Sequence, residues 1–236
     1  MSLLNELKSN GNWLFRYRSY LPILLLPLVF YSLSIKNNIP HNILLILAST
    51  TSILGQIIRI LTIAYVPVGT SGRNTKKQRA KYLNKYGIYS TVRHPLYLGN
   101  FFMYLGPFIY SANLNFIFIY ILIFTIYYER IMFAEESFLL NKFDKEYEQW
   151  SAKTPAFIPN IMLYKKSNFK FSFNKIIERE YTGICGLIFL FIFLIYLRNI
   201  FQNISPPLIN IYLYILFINF FIYIILRMKK KINRKV

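Results

Sequence analysis

Cysteine is all but absent. Cys185 stands alone among 236 residues, which excludes a disulfide framework and any multi-cysteine metal site. Histidine is nearly as scarce: with only His41 and His94, neither a zinc nor a di-iron enzyme is expected. Acids are few, nine Asp and Glu against 28 Lys and Arg, for a formal net charge of +19. Charged residues make up 16% of the chain, well under the roughly 25% of soluble domains, so an ordinary cytosolic domain is excluded. What abounds is apolar surface, with 55% hydrophobic and 19% aromatic residues. The excess of base could serve nucleic acid. The apolar residues, however, arrive in blocks of membrane length, since a bilayer core of roughly 30 Å takes about 20 of them in a helix. The expected partner is therefore the lipid bilayer and not nucleic acid.

Six apolar runs stand out, at 21–35, 43–66, 96–111, 114–133, 183–197 and 208–226. The first contains Pro22 and Pro27 and is followed by no small-residue cleavage site, so it reads as a retained span and not as a signal peptide. The fold class is an all-α integral membrane protein with about six transmembrane helices. Segments 67–93 and 129–180 hold seven and nine Lys/Arg and the tail from Arg227 holds six, whereas the three short intervening loops hold two. Positive charge stays inside, which puts both termini and both long loops in the cytoplasm. Between the spans, 134–150 places Leu139, Phe143, Tyr147 and Trp150 on one helical face, with Lys142, Lys145, Glu146 and Gln149 off it. This reads as a helix on the membrane surface or against the bundle, stopped by Pro155 and Pro159. The 67–93 stretch reads as a loop leading into a basic helix.

The densest unusual string is GIYSTVRHPLYLG at 87–99. Pro95 forces an extended His94, so the chain turns there before its third span. Tyr89, Arg93, His94 and Tyr97 then gather at the membrane boundary, beside helix-terminal amides suited to a carboxylate or phosphate. The blander reading is an aromatic and arginine membrane anchor. Further along, Glu135 and Glu136 adjoin an apolar span, where unpaired carboxylates are costly. They point to different sides of a helix, and a carboxylate can accept from ribose hydroxyls. Arg59 lies inside a span, where an ionisable residue implies function, unless it snorkels to the headgroups.

The order R-H-P-L-Y-L-G, helical hairpin, then E-E and P-A-F-I-P resembles the isoprenylcysteine carboxyl methyltransferase and phospholipid methyltransferase family over about residues 50–160. The layout is similar to bacterial members, among which lipid A phosphate methylation is known. The resemblance implies S-adenosyl-L-methionine as cofactor, held in a cytoplasmic pocket by Tyr89, His94, Pro95, Leu96, Tyr97, Glu135 and Glu136. Upstream, Asn74 and Leu83 would reach the adenosyl part, although K-Y-L-N at 81–84 departs from the family's histidine-containing string. Arg130 lies near the family's substrate-binding arginine, and Arg59, Arg93 and Arg130 could converge on one acceptor. The expected organisation is an N-terminal segment with the first span at 1–49, a methyltransferase core at 50–160, and a polar linker with a C-terminal hairpin at 161–236. A guanidinium cluster repels an ammonium, so an anionic lipid headgroup, such as the phosphate of lipid A, is the expected acceptor. A prenylcysteine carboxylate or phosphatidylethanolamine is the alternative. Outside the class stand an NADPH-dependent membrane reductase, which would carry a paired-histidine string where Ala134-Glu-Glu-Ser137 stands, and a non-enzymatic basic membrane anchor.

Overall fold

A computed structural model describes residues 2–67, 78–203 and 209–232. Seven α-helices occupy them: α1 Leu3–Tyr17, α2 Leu21–Ser34, α3 His41–Ala64, α4 Pro95–Ser111, α5 Leu114–Ser151, α6 Phe173–Gln202 and α7 Ile209–Ile232. No named strand occurs among the described residues; Gly87 and Lys165 form an isolated bridge. Each of the six apolar runs became a helix, α2 to α7. Four of these, α3, α5, α6 and α7, are long and apolar enough to cross a membrane. At 1.5 Å per residue, α2 and α4 reach only ~21 and ~26 Å, and both carry an internal proline.

Two expectations fail locally. The separate helix expected at 134–150, on the membrane surface or against the bundle, is the continuation of the fourth span, and it lies against the bundle. Between Leu114 and Ser151 there is neither glycine nor proline, so nothing breaks the helix at the membrane boundary. It kinks later, at Asp144, whose φ is 41°. Its apolar stripe faces inward as expected: Tyr147 is buried and packs on Trp150 with ring centroids 5.8 Å apart, while Lys142, Lys145 and Gln149 are exposed. Nor do the described residues of the 67–93 stretch form a basic helix. Residues 78–87 run without helix into a 3-10 turn at Ile88–Ser90, entered through Gly87 at φ 65°, a left-handed conformation that suits glycine. Lys142 Nζ donates to the Ala80 carbonyl and Lys85 pairs with Glu146 at 2.6 Å, which straps this stretch along α5.

Close approach of α3 and α4 sets the geometry of everything inside. Small residues Ala48, Ser52 and Gly55 meet Gly99, Met103 and Gly106; a Cβ on Gly55 would overlap the Gly99 carbonyl, and one on Gly106 would overlap Ser52. Such small-residue seams let helix backbones touch where lipid offers no hydrophobic driving force. Gly55→Leu should pry the pair apart and cost about 1–3 kcal/mol. Gly186→Ala, in the interior of α6 where nothing lies within 4 Å, should not lower the thermal unfolding temperature in detergent. Equal melting temperatures for both variants and the parent would refute this seam.

At one end of the bundle, Arg198 is buried, donating to the Tyr110 carbonyl and Asn37 Oδ1 at 3.0 and 2.9 Å. There it ties α6 to the end of α4 and the α2–α3 loop. At the opposite end gather the 78–94 stretch, the 152–172 loop and the described end of α7, whose Lys230 Nζ bonds the Glu178 carbonyl at 2.6 Å. That end carries the site.

Candidate functional site

A cavity of about 1300 Å³ opens between α2, α4, α5 and α6. One half is polar, walled by Arg79, Leu83, Tyr89, His94, Glu135 and Trp150; the other is apolar, walled by Pro22, Leu26, Phe30, Leu187, Leu190 and Phe193. A single drug-sized ligand occupies roughly 300–1,000 Å³, so the cavity exceeds the volume of one such ligand.

The polar half is organised around His94, the N-cap of α4. Its backbone N–H donates to the Ala156 carbonyl at 3.2 Å and that of Arg93 to Pro155 at 2.9 Å, while Asn160 N–H returns a bond to Thr91. The proline-rich loop after α5 thus clamps the turn before α4. The two glutamates straddle the imidazole. Glu136 Oε1 lies 2.8 Å from Nε2, and Glu135 Oε2 lies 3.6 Å from Nδ1 while accepting from the Tyr97 hydroxyl at 2.9 Å. Adjacent positions diverge by about 100° around a helix, and His94 fills the gap between them. Burial alone would lower the His94 pKa, but hydrogen bonding and the charges of both carboxylates raise it above the ordinary histidine value. The ion cluster is complete while the ring stays protonated, and its contribution is lost as pH rises through that elevated value. Tyr89 is held far above the usual phenol range by burial and by the Glu135 charge, so its hydroxyl remains a donor.

Of the residues expected at the cofactor, Leu83, Tyr89, His94, Pro95, Leu96, Tyr97 and Glu135 all line the cavity. Glu136 does not; it stands behind His94 and pairs with Arg93 at 3.0 Å. Asn74 lies outside the described residues. Of the three arginines, Arg59 and Arg93 line the cavity and Arg130 does not. Arg130 belongs to the α5 face packed on α1, where a Cβ on Gly11 would overlap its carbonyl, and its guanidinium turns back to the Ile126 carbonyl. The expected convergence of three arginines is therefore not what the fold builds.

Nor is Arg59 an unpaired cation. It crosses over Gly99 and forks onto Glu180, Nε to Oε2 at 2.9 Å and Nη2 to Oε1 at 2.7 Å, while Nη1 reaches Asn100 Oδ1 at 2.6 Å. Gln56 donates to the same carboxylate at 2.8 Å, and Asn100 to the Tyr128 hydroxyl at 3.0 Å. Sequence reasoning missed Glu180. Its signal was an acid three residues before the fifth apolar run, opposite an arginine buried in the second, because charges at membrane depth find each other. Trp150, Arg79 and the apolar wall from α2 and α6 were missed as well; their positions depend on how distant helices meet. Among the described residues, no group of three metal-ligating side chains comes together.

Residues 43–146 match the family model described as phospholipid methyltransferase. The chain is also 32% identical over 111 residues to the protein-S-isoprenylcysteine O-methyltransferase of Schizosaccharomyces pombe, covering 46% of each chain. It is 35% identical over 112 residues to that of Saccharomyces cerevisiae, again 46% of each. A third relative, the cobalt-zinc-cadmium resistance protein CzcN of Cupriavidus metallidurans, is 34% identical over 79 residues, 34% of this chain and 36% of that one. The chain spans less than half the length of these curated relatives. No solved structure matches. The expected family resemblance holds over this segment, which contains both the R-H-P-L-Y-L-G string and the Glu pair.

Proposed function

We propose, for a chain whose residues 43–146 carry the pattern of the phospholipid and isoprenylcysteine methyltransferases, that it transfers a methyl group from S-adenosyl-L-methionine to an oxygen of an anionic lipid headgroup. The observation that supports this most is the bipartite cavity, polar at His94 and Glu135 and apolar between α2 and α6. The polar half suits the cofactor's chemistry. Glu135 offers a carboxylate to a cationic ligand, Tyr89 lines the same wall as a donor, and Leu83, Leu139 and Trp150 offer flat or apolar surface to a purine. When bound there, the cofactor supplies an electrophilic methyl on a sulfonium. His94 and Tyr97 hold the Glu135 carboxylate in place, and Glu136 with Arg93 holds His94. The apolar half excludes water and accommodates lipid chains, so the acceptor and the soluble cofactor enter by different routes.

Arg18, Arg79 and Arg179 join Arg59 and Arg93 in the cavity wall against Glu135 and Glu180, a positive balance that favours an anionic acceptor. A phosphate monoester or a carboxylate is ionised at neutral pH and needs no side chain to remove a proton, whereas an ammonium must first lose one. The phosphate of a lipid such as lipid A is the acceptor we favour, in a bacterial inner membrane with the site and both termini facing the cytoplasm. The names of the two yeast relatives favour the second reading, a prenylcysteine carboxylate. In this scheme residues 50–160 are the catalytic core and α6, from the hairpin within 161–236, completes its wall. Purified protein incubated with methyl-labelled cofactor and a panel of lipids should place the label on a phosphate or carboxylate oxygen. Label on the nitrogen of phosphatidylethanolamine would overturn the anionic acceptor.

A further inference from the structure

The loop after α5 exposes what a soluble protein would hide. Ile158 and Ile161 are each 78% exposed and Met162 96%, with Tyr164, Phe169, Phe171 and Phe173 also exposed. Between Ala152 and Ile177 there are five lysines, at 153, 165, 166, 170 and 175, and no acid. Depth can be read from its neighbours. Phe157 packs against Phe101 and Phe124, with ring centroids 5.8 and 6.2 Å apart. Phe101 sits six residues into α4, ~9 Å from its start. The backbone on either side of Ile158 bonds the turn before α4, His94 N–H donating to Ala156 O and Asn160 N–H to Thr91 O, so Ile158 lies level with the start of α4 with Phe157 reaching inward. Further on, Ser172 N–H bonds the Ala64 carbonyl and Ser167 Oγ bonds that of Tyr65, while Phe171 packs on the Tyr65 ring. Ala64 ends α3, which fixes this part of the segment at the boundary.

We propose that residues 157–173 form an interfacial strap that inserts Ile158, Ile161 and Met162 among lipid chains and seats its lysines on anionic headgroups of the same leaflet. Amphipathic segments rich in lysine and large apolar residues lie in the interface plane, and their attraction to the bilayer depends on anionic lipid. The assignment stands apart from the methyl-transfer reading, because it rests on exposure, depth and charge alone. It also has a consequence for the site: Lys165 N–H donates to Ser90 Oγ and its carbonyl accepts from Gly87 N–H, both at 2.8 Å, so the strap is bonded to the turn that carries His94.

The test uses the full chain in nanodiscs, which leave both faces open, made of phosphatidylcholine with or without phosphatidylglycerol. With Cys185→Ser and Met162→Cys, a fluorophore at 162 should be quenched several-fold more by a nitroxide in the upper acyl chain than by aqueous iodide. Adding phosphatidylglycerol should widen that difference. On the unmodified chain, trypsin should cleave at Lys165 and Lys166 more slowly when phosphatidylglycerol is present than when it is absent. A label open to iodide and indifferent to lipid nitroxide would overturn the strap. Insertion and cleavage that ignore phosphatidylglycerol would overturn its assignment to anionic lipid.

Discussion

His94→Ala and Glu135→Ala should each weaken the binding of S-adenosylhomocysteine by about 10- to 100-fold, measured by calorimetry on purified protein in detergent. Hydrogen bonds to charged groups contribute roughly 1.5–3 kcal/mol, and every 1.4 kcal/mol is about tenfold in affinity. Glu135→Ala removes the carboxylate itself. His94→Ala removes the ring between two glutamates whose nearest oxygens lie 3.6 and 2.8 Å from it, leaving two like charges on adjacent positions of α5. Each carboxylate keeps one partner, Tyr97 for Glu135 and Arg93 for Glu136, so the helix should persist while the site loses its geometry. Unchanged affinity in both variants, with helical content intact, would refute the placement of the cofactor.

The second large effect is on stability. Glu180→Ala leaves the Arg59 guanidinium without its carboxylate in a wall where the Glu180 side chain is 1% exposed and that of Arg59 19%. Removing one partner of such a pair costs about 3–5 kcal/mol, much of it from the charge left behind. An apolar pair of similar volume is often neutral, so Arg59→Met with Glu180→Leu should recover most of the loss. Thermal unfolding in detergent should therefore rank the double variant above Glu180→Ala. The reverse order would mean that the pair does not bind α3 to α6.

The six apolar runs were legible as helices because apolar length alone marks them; each became one of α2 to α7, four of them long and apolar enough to span. The Glu pair and His94 were legible through local spacing, since Glu135 and Glu136 sit side by side and Pro95 fixes the turn before α4. Other features depended on contacts far apart in sequence. Arg59 and Glu180 are separated by 121 residues, and only the α3–α6 packing brings them together. Arg130 is five residues from Glu135, yet its backbone carbonyl lies against α1 and its guanidinium folds back to Ile126, while Glu135 meets Tyr97 of α4, a difference that follows from where α1 docks. That docking rests on Gly11 against the Arg130 backbone, a signal too small to read from a single glycine.

Titration of the purified protein with S-adenosylhomocysteine and, separately, with NADPH bears most directly on the proposed activity. The expected result is saturable one-site binding of S-adenosylhomocysteine, lost with Glu135→Ala, and no binding of NADPH. Saturable binding of NADPH, or no binding of S-adenosylhomocysteine by folded protein, would contradict a methyltransferase site at His94 and Glu135.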